Sequence, residues 1–154
     1  MLSSLKGNFS IPFNPADWYA LAVWFYDTKP ALSSQCLRRT IIGRAYYAAL
    51  ICARDATHSN TTGQGGHDRV VTALRSKDNS AAGKLDSLRL KRQSADYHPE
   101  IEISVRDVEI SLLDSKVVLT ALGMAPIIIA PHNKPYSQNY LDKDKFLPNH
   151  SPKT

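Results

Sequence analysis

The feature that most limits the fold of this chain is the recurrence of apolar residues every three or four positions. In SVRDVEISLLDSKVVLTALG, the positions Val105, Val108, Leu112, Ser115, Leu119 and Leu122 advance in steps of three and four. Such stepping lines up one face of an α-helix. Ser104 stands where a helix cap belongs and Gly123 where a helix stops. Only EIEIS, just before this segment, alternates as a strand would, and it is too short to build a sheet.

Four further segments carry helical spacing. NPADWYALAVWFYDT opens with Asn14 as cap, Pro15 at the first helical position and Asp17 near the positive helix end. Trp18, Leu21, Ala22 and Phe25 give it a stripe expected to be buried. After Lys29 and Pro30, Ser33 or Ser34 can cap a long helix running to Thr57. Ile41, Ala45, Ala48 and Cys52 mark one of its faces, and Ile42, Tyr46, Ala49 and Ala53 lie beside them. The alanines allow neighbouring helices to approach closely. HSNTTGQGG is a loop by composition. HDRVVTALRS reads as a short helix with Val70, Val71 and Leu74 inward, and SAAGKLDSLRLKRQSADY as another, resting on Leu85, Leu88 and Ala95.

The expected fold class is therefore all-α. Residues 1–124 make a four- to five-helix up-and-down bundle, entered by an irregular arm, and residues 125–154 a proline-rich extended tail. PIIIAP, Tyr136, Tyr140 and Phe146 make that tail too apolar to be only solvated. It either lies along its own bundle or serves as an arm for a partner.

Length and composition exclude some classes. A chain of 154 residues with 43% hydrophobic content can bury one core without staples. The net charge of +5 suits a polyanionic partner without requiring one. Cys36 and Cys52 sit on one predicted helix, about 24 Å apart at its rise, so they cannot pair within the chain. They are expected to be buried free thiols, as in a reducing cytoplasm. There is no zinc-ligand spacing, and no phosphate-loop Lys-Ser/Thr follows the glycines of GQGG, so neither metal nor cofactor is expected. The N-terminus lacks a secretory pattern, and APIIIAP is far too short to span a bilayer. A cytoplasmic protein with no membrane association is the expectation.

Chemistry concentrates in LKRQSADYHPE, where Arg92, Asp96, Tyr97 and His98 crowd the end of a helix just before Pro99. Taken alone, this can be a polar cap in which Arg92 pairs with Asp96 four residues on. It can also be a working end. GRAYYAALICARDA, GGHDRVVTALR and LRLKRQSADY follow one another on successive helices with a final amphipathic helix behind them. Over roughly residues 34–122 the chain thereby resembles the HEPN superfamily, the small helical bundles of many prokaryotic toxins and defence proteins.

The resemblance implies a metal-independent endoribonuclease whose family pattern is an Arg, four to six residues, then a His. Arg92 and His98, five residues apart, meet it. Arginine suits phosphate because its planar fork never loses charge, and histidine suits proton transfer because it titrates near neutrality. Pro99 disfavours the helical conformation at His98, which would let the ring swing back towards Arg92. Gln93, Asp96, Tyr97, Arg44 and His67 are the candidate supporting or RNA-binding residues, with Asp96 and Tyr97 also fitted to anchor the bundle end. Tyr46 and Tyr47 are candidates for core or cleft, and Arg38 and Arg39 for a solvated face. The implied partners are RNA, a second copy of the chain, and an antitoxin or defence-complex protein. Relatives that keep RQ-x-ADY without the histidine are not known to cut RNA. The alternative is therefore a non-catalytic module that binds a protein or nucleotide and regulates a separate enzyme.

Overall fold

A computed structural model of the protein describes residues 13–28 and 32–124, and every regular element among the described residues is helical. They are α1 (Asp17–Asp27), α2 (Gln35–Thr57), α3 (Gly66–Arg75), α4 (Asn79–Tyr97) and α5 (Val105–Ala121). The expected irregular arm and apolar tail lie almost wholly outside the described residues. No described helix is long and apolar enough to cross a membrane.

Most helix starts follow from local chemistry. The Ser34 hydroxyl accepts from Leu37 N–H at the head of α2, and the Asp78 carboxylate from Ala81 N–H at the head of α4. At α5 the Ser104 hydroxyl accepts from Asp107 N–H while the Asp107 carboxylate accepts from Ser104 N–H, so two orphan amides are satisfied reciprocally. In α1 the Asn14 side chain accepts from Ala16 N–H at 3.0 Å. The turn over Pro15 and Ala16 is tight, and the α-helix proper starts at Asp17.

The long α2 is the central strut, with a hydrophobic cluster on each flank. Ile41, Ala45, Ala48 and Cys52 pack with Tyr19 and Ala22 of α1 and Val108, Leu112 and Leu119 of α5. Tyr46, Ala49, Leu50 and Ala53 pack with Val70 and Leu74 of α3 and Leu85 and Leu88 of α4. Both expected faces of α2 are buried. Ser115, within the apolar stripe of α5, is satisfied by donating to Ala45 O at 2.8 Å. Buried Asp114 is paired with Lys84 at 2.9 Å.

Three expectations need correction. The buried residues of α1 are Tyr19, Ala20 and Ala22, while Trp18, Leu21 and Phe25 keep part of their surface in water. Cys36 is exposed, because it falls in the first turn of α2 before the helix enters the core; Cys52 is buried as expected. Arg38 and Arg39 are not a solvated face. Arg38 donates to the carbonyls of Leu32 and Ile103. Arg39 gathers the carbonyls of Ala95, His98, Pro99 and Ile101. EIEIS, as its length led one to expect, builds no sheet: Gln35 binds both the N–H and the C=O of Ile103, at 2.9 and 2.8 Å, and fastens it to the start of α2.

Candidate functional site

The chain leaves α2 through His58 in the left-handed conformation and reaches α3 over a loop held by one side chain. Arg69 donates to the carbonyls of Asn60 (3.1 Å), Thr62 and Gln64 (3.0 Å). Gly65, at φ 73°, turns the chain into α3. Gly66 lies so close to Thr61 that an added Cβ would overlap its backbone carbonyl. Glycine is thus required where the loop presses on the helix. No side chain caps the start of α3, so the positive end of that helix is left to Gly66, His67 and Asp68. These line one wall of an open cleft of about 310 Å³.

Arg89, Arg92, Gln93 and Tyr97 make the opposite wall. Their spacing places them on one face of α4. Arg89 is bound at 2.9 Å to Asp86 on its own helix and at 3.3 Å to Asp68 across the cleft. Arg92 has its guanidinium between two rings, 5.4 Å from the centre of Tyr47 and 5.1 Å from that of Tyr97. Its Nε lies 2.6 Å from the Asp96 carboxylate. The N–H, however, does not point at that oxygen, so the buried Nε has a charge neighbour without an aligned acceptor.

His67 enters from α3. Its Nδ1 is 2.8 Å from the hydroxyl of Tyr46, a fully buried residue of α2. Burial, then the neighbouring Arg92 and Arg89 charges, lower the His67 pKa, with Asp68 opposing. Burial holds the Tyr46 phenol well above its ordinary range. Both groups are therefore neutral at pH 7.

Of the residues singled out from sequence, the structure brings Arg92, Gln93, Tyr97 and His67 into this cleft. Asp96 touches Arg92 from beside it. Arg44 is elsewhere, stacked 4.1 Å over the Trp18 ring and lining a separate groove with Thr40 and Tyr47. His98 is also outside. Helix α4 ends at Tyr97, as Pro99 demands, but the half-exposed His98 ring turns to Glu100, with Nδ1 3.0 Å from its carboxylate. The Arg39 clasp on the carbonyls around it fixes this turn. Arg89 and the Tyr46–His67 bond were not singled out. The position of Arg89 three residues before Arg92 was a usable signal; the hydroxyl partner of His67, 21 residues away in sequence, gave none.

Comparison with models of known protein families, with characterised proteins and with solved structures gives no match to this chain.

Proposed function

We propose that this chain is a HEPN-type, metal-independent endoribonuclease of a toxin or anti-phage defence system, working as a homodimer in the cytoplasm. The observation that carries this reading is the setting of Arg92. Its guanidinium stands in the wall of an open cleft, beside a second arginine and a histidine, with a buried Nε that lacks an aligned acceptor. A phosphodiester, an anion with several oxygens, suits two guanidinium groups standing side by side on such a wall.

In the proposed reaction, the ribose 2′-OH gives up its proton and its oxygen attacks the adjacent phosphorus. The P–O5′ bond breaks and O5′ takes a proton, leaving a 2′,3′-cyclic phosphate and a 5′-hydroxyl. Arg92 stabilises the charge that grows on the phosphorus oxygens. His98 is assigned the proton transfers. Its exposed position at the end of α4 suits delivery to the cleft of a second copy, which is why the dimer belongs to this reading.

A second reading has its own support. His98 is paired with Glu100 and is not a cleft residue, as suits a non-catalytic module that binds a protein or nucleotide.

Labelled RNA incubated with the protein in EDTA separates the two. Cleavage with cyclic-phosphate ends is expected, reduced about 10²–10⁴-fold by Arg92→Ala or by His98→Ala. Arg92→Lys is expected to rescue poorly because it keeps the charge and loses the fork. Strict dependence on a divalent metal, or full activity of the His98→Ala protein, overturns the assignment.

A further inference from the structure

The neutral pair formed by Tyr46 and His67 has no part in the reaction just described, yet its histidine lines the cleft. Tyr46 is fully buried, and its hydroxyl has one partner among the described residues, Nδ1 of His67 at 2.8 Å. A buried hydroxyl donor left unmade is costly, so the phenol donates to Nδ1. A neutral imidazole that accepts at Nδ1 carries its proton on Nε2, at the opposite edge of the ring. We infer that His67 is a phosphate-contacting residue: its Nε2–H, fixed by the Tyr46 hydroxyl, donates to a non-bridging oxygen of the RNA backbone beside Arg89 and Arg92.

The inference rests on the ribonuclease reading and adds to it a binding group that the Arg–His pattern does not contain. The groups facing His67 are Tyr46 from α2, its own neighbour Asp68, and Arg89 and Arg92 from α4. Two guanidinium groups disfavour a third cation, so the ring enters as a neutral donor, and the phosphate charge is met by the arginines. Asp68 occupies Arg89 in the free protein at 3.3 Å, and a phosphate entering the cleft exchanges that exposed, weakly held ion pair for one with an anion that offers several oxygens.

The test uses the full chain with ¹⁵N-labelled histidine and a short single-stranded oligodeoxynucleotide, which has phosphodiesters but no 2′-OH to be cut. His67 is expected to show the Nε2–H tautomer in the free protein, and its Nε2 resonance to move on titration. Tyr46→Phe is expected to erase the tautomer preference. His67→Phe is expected to weaken oligonucleotide binding about 10- to 100-fold, and His67→Gln, which keeps an N–H donor, to restore part of it. An Nδ1–H tautomer, an unmoved Nε2 resonance, or equal binding by the Phe and Gln variants overturns the inference. If His67 responds as expected while the wild type leaves RNA uncut, the ribonuclease reading fails and the phosphate contact stands.

Discussion

A single residue, His67, links burial to pH. Desolvation and two arginines lower its pKa from the ordinary 6.5, so the unfolded chain binds this proton more tightly than the folded one. Its contribution to stability is complete above that ordinary value and is lost as pH falls through it towards the folded pKa. Urea unfolding at pH 7.5 and 5.5 should therefore show a larger loss of midpoint in the wild type than in His67→Gln; parallel losses would contradict the burial of the ring. At this scale sequence informed unevenly. Arg92 stood out because a helix-ending Arg–His spacing is visible in linear order. The roles of Arg39 and Tyr46 were invisible, because their partners are carbonyls and a ring nitrogen brought close only by folding.

At the scale of elements, what could be read from sequence was what neighbouring residues decide. Ser34 and Ser104 cap the helices they precede, and the loop after α2 falls where glycines and small polar residues cluster. What failed was the depth to which each residue of the α1 stripe is buried, and the orientation of the turn after α4. A helix with apolar residues on most of its surface has no single inward stripe, so its neighbours choose Tyr19 and Ala20 over Trp18. The turn after α4 is set by Arg39 and Gln35, far away in sequence. The capping box at α5 can be tested directly. Ser104→Ala removes the one hydroxyl that accepts from Asp107 N–H and donates to the Asp107 carboxylate. It is expected to cost about 0.5–2 kcal/mol in thermal or chemical unfolding. Ser104 holds the Asp107 pKa below the usual 3.8, so the share carried by its bond to that carboxylate is present above that value and fades as pH drops through the folded pKa. The gap between the wild type and the variant should narrow in strong acid without closing, since the bond from Asp107 N–H to the hydroxyl does not titrate.

At the scale of the molecule, the governing fact is that α2 is packed on both flanks and that small residues make this possible. Ala48 has no exposed surface and stands in the cluster shared with α1 and α5. Ala48→Leu should force those helices apart and cost about 1–3 kcal/mol in the urea midpoint, by overpacking; an unchanged midpoint would mean that the contact is looser than described. A wall common to two clusters also sets the ways in which the molecule can come open. Withdrawing α2 empties both clusters, so that opening is the whole unfolding transition. Lifting the short α3 disturbs only the cluster it shares with Tyr46, Leu50 and Leu88, and leaves α1, α2 and α5 together. The lower-energy opening is thus the one that unhinges the His67 wall of the cleft. Under the ribonuclease reading proposed above, a strand of nucleic acid too thick for the cleft would meet a side that can breathe, while the arginine side stays anchored in the helix behind it.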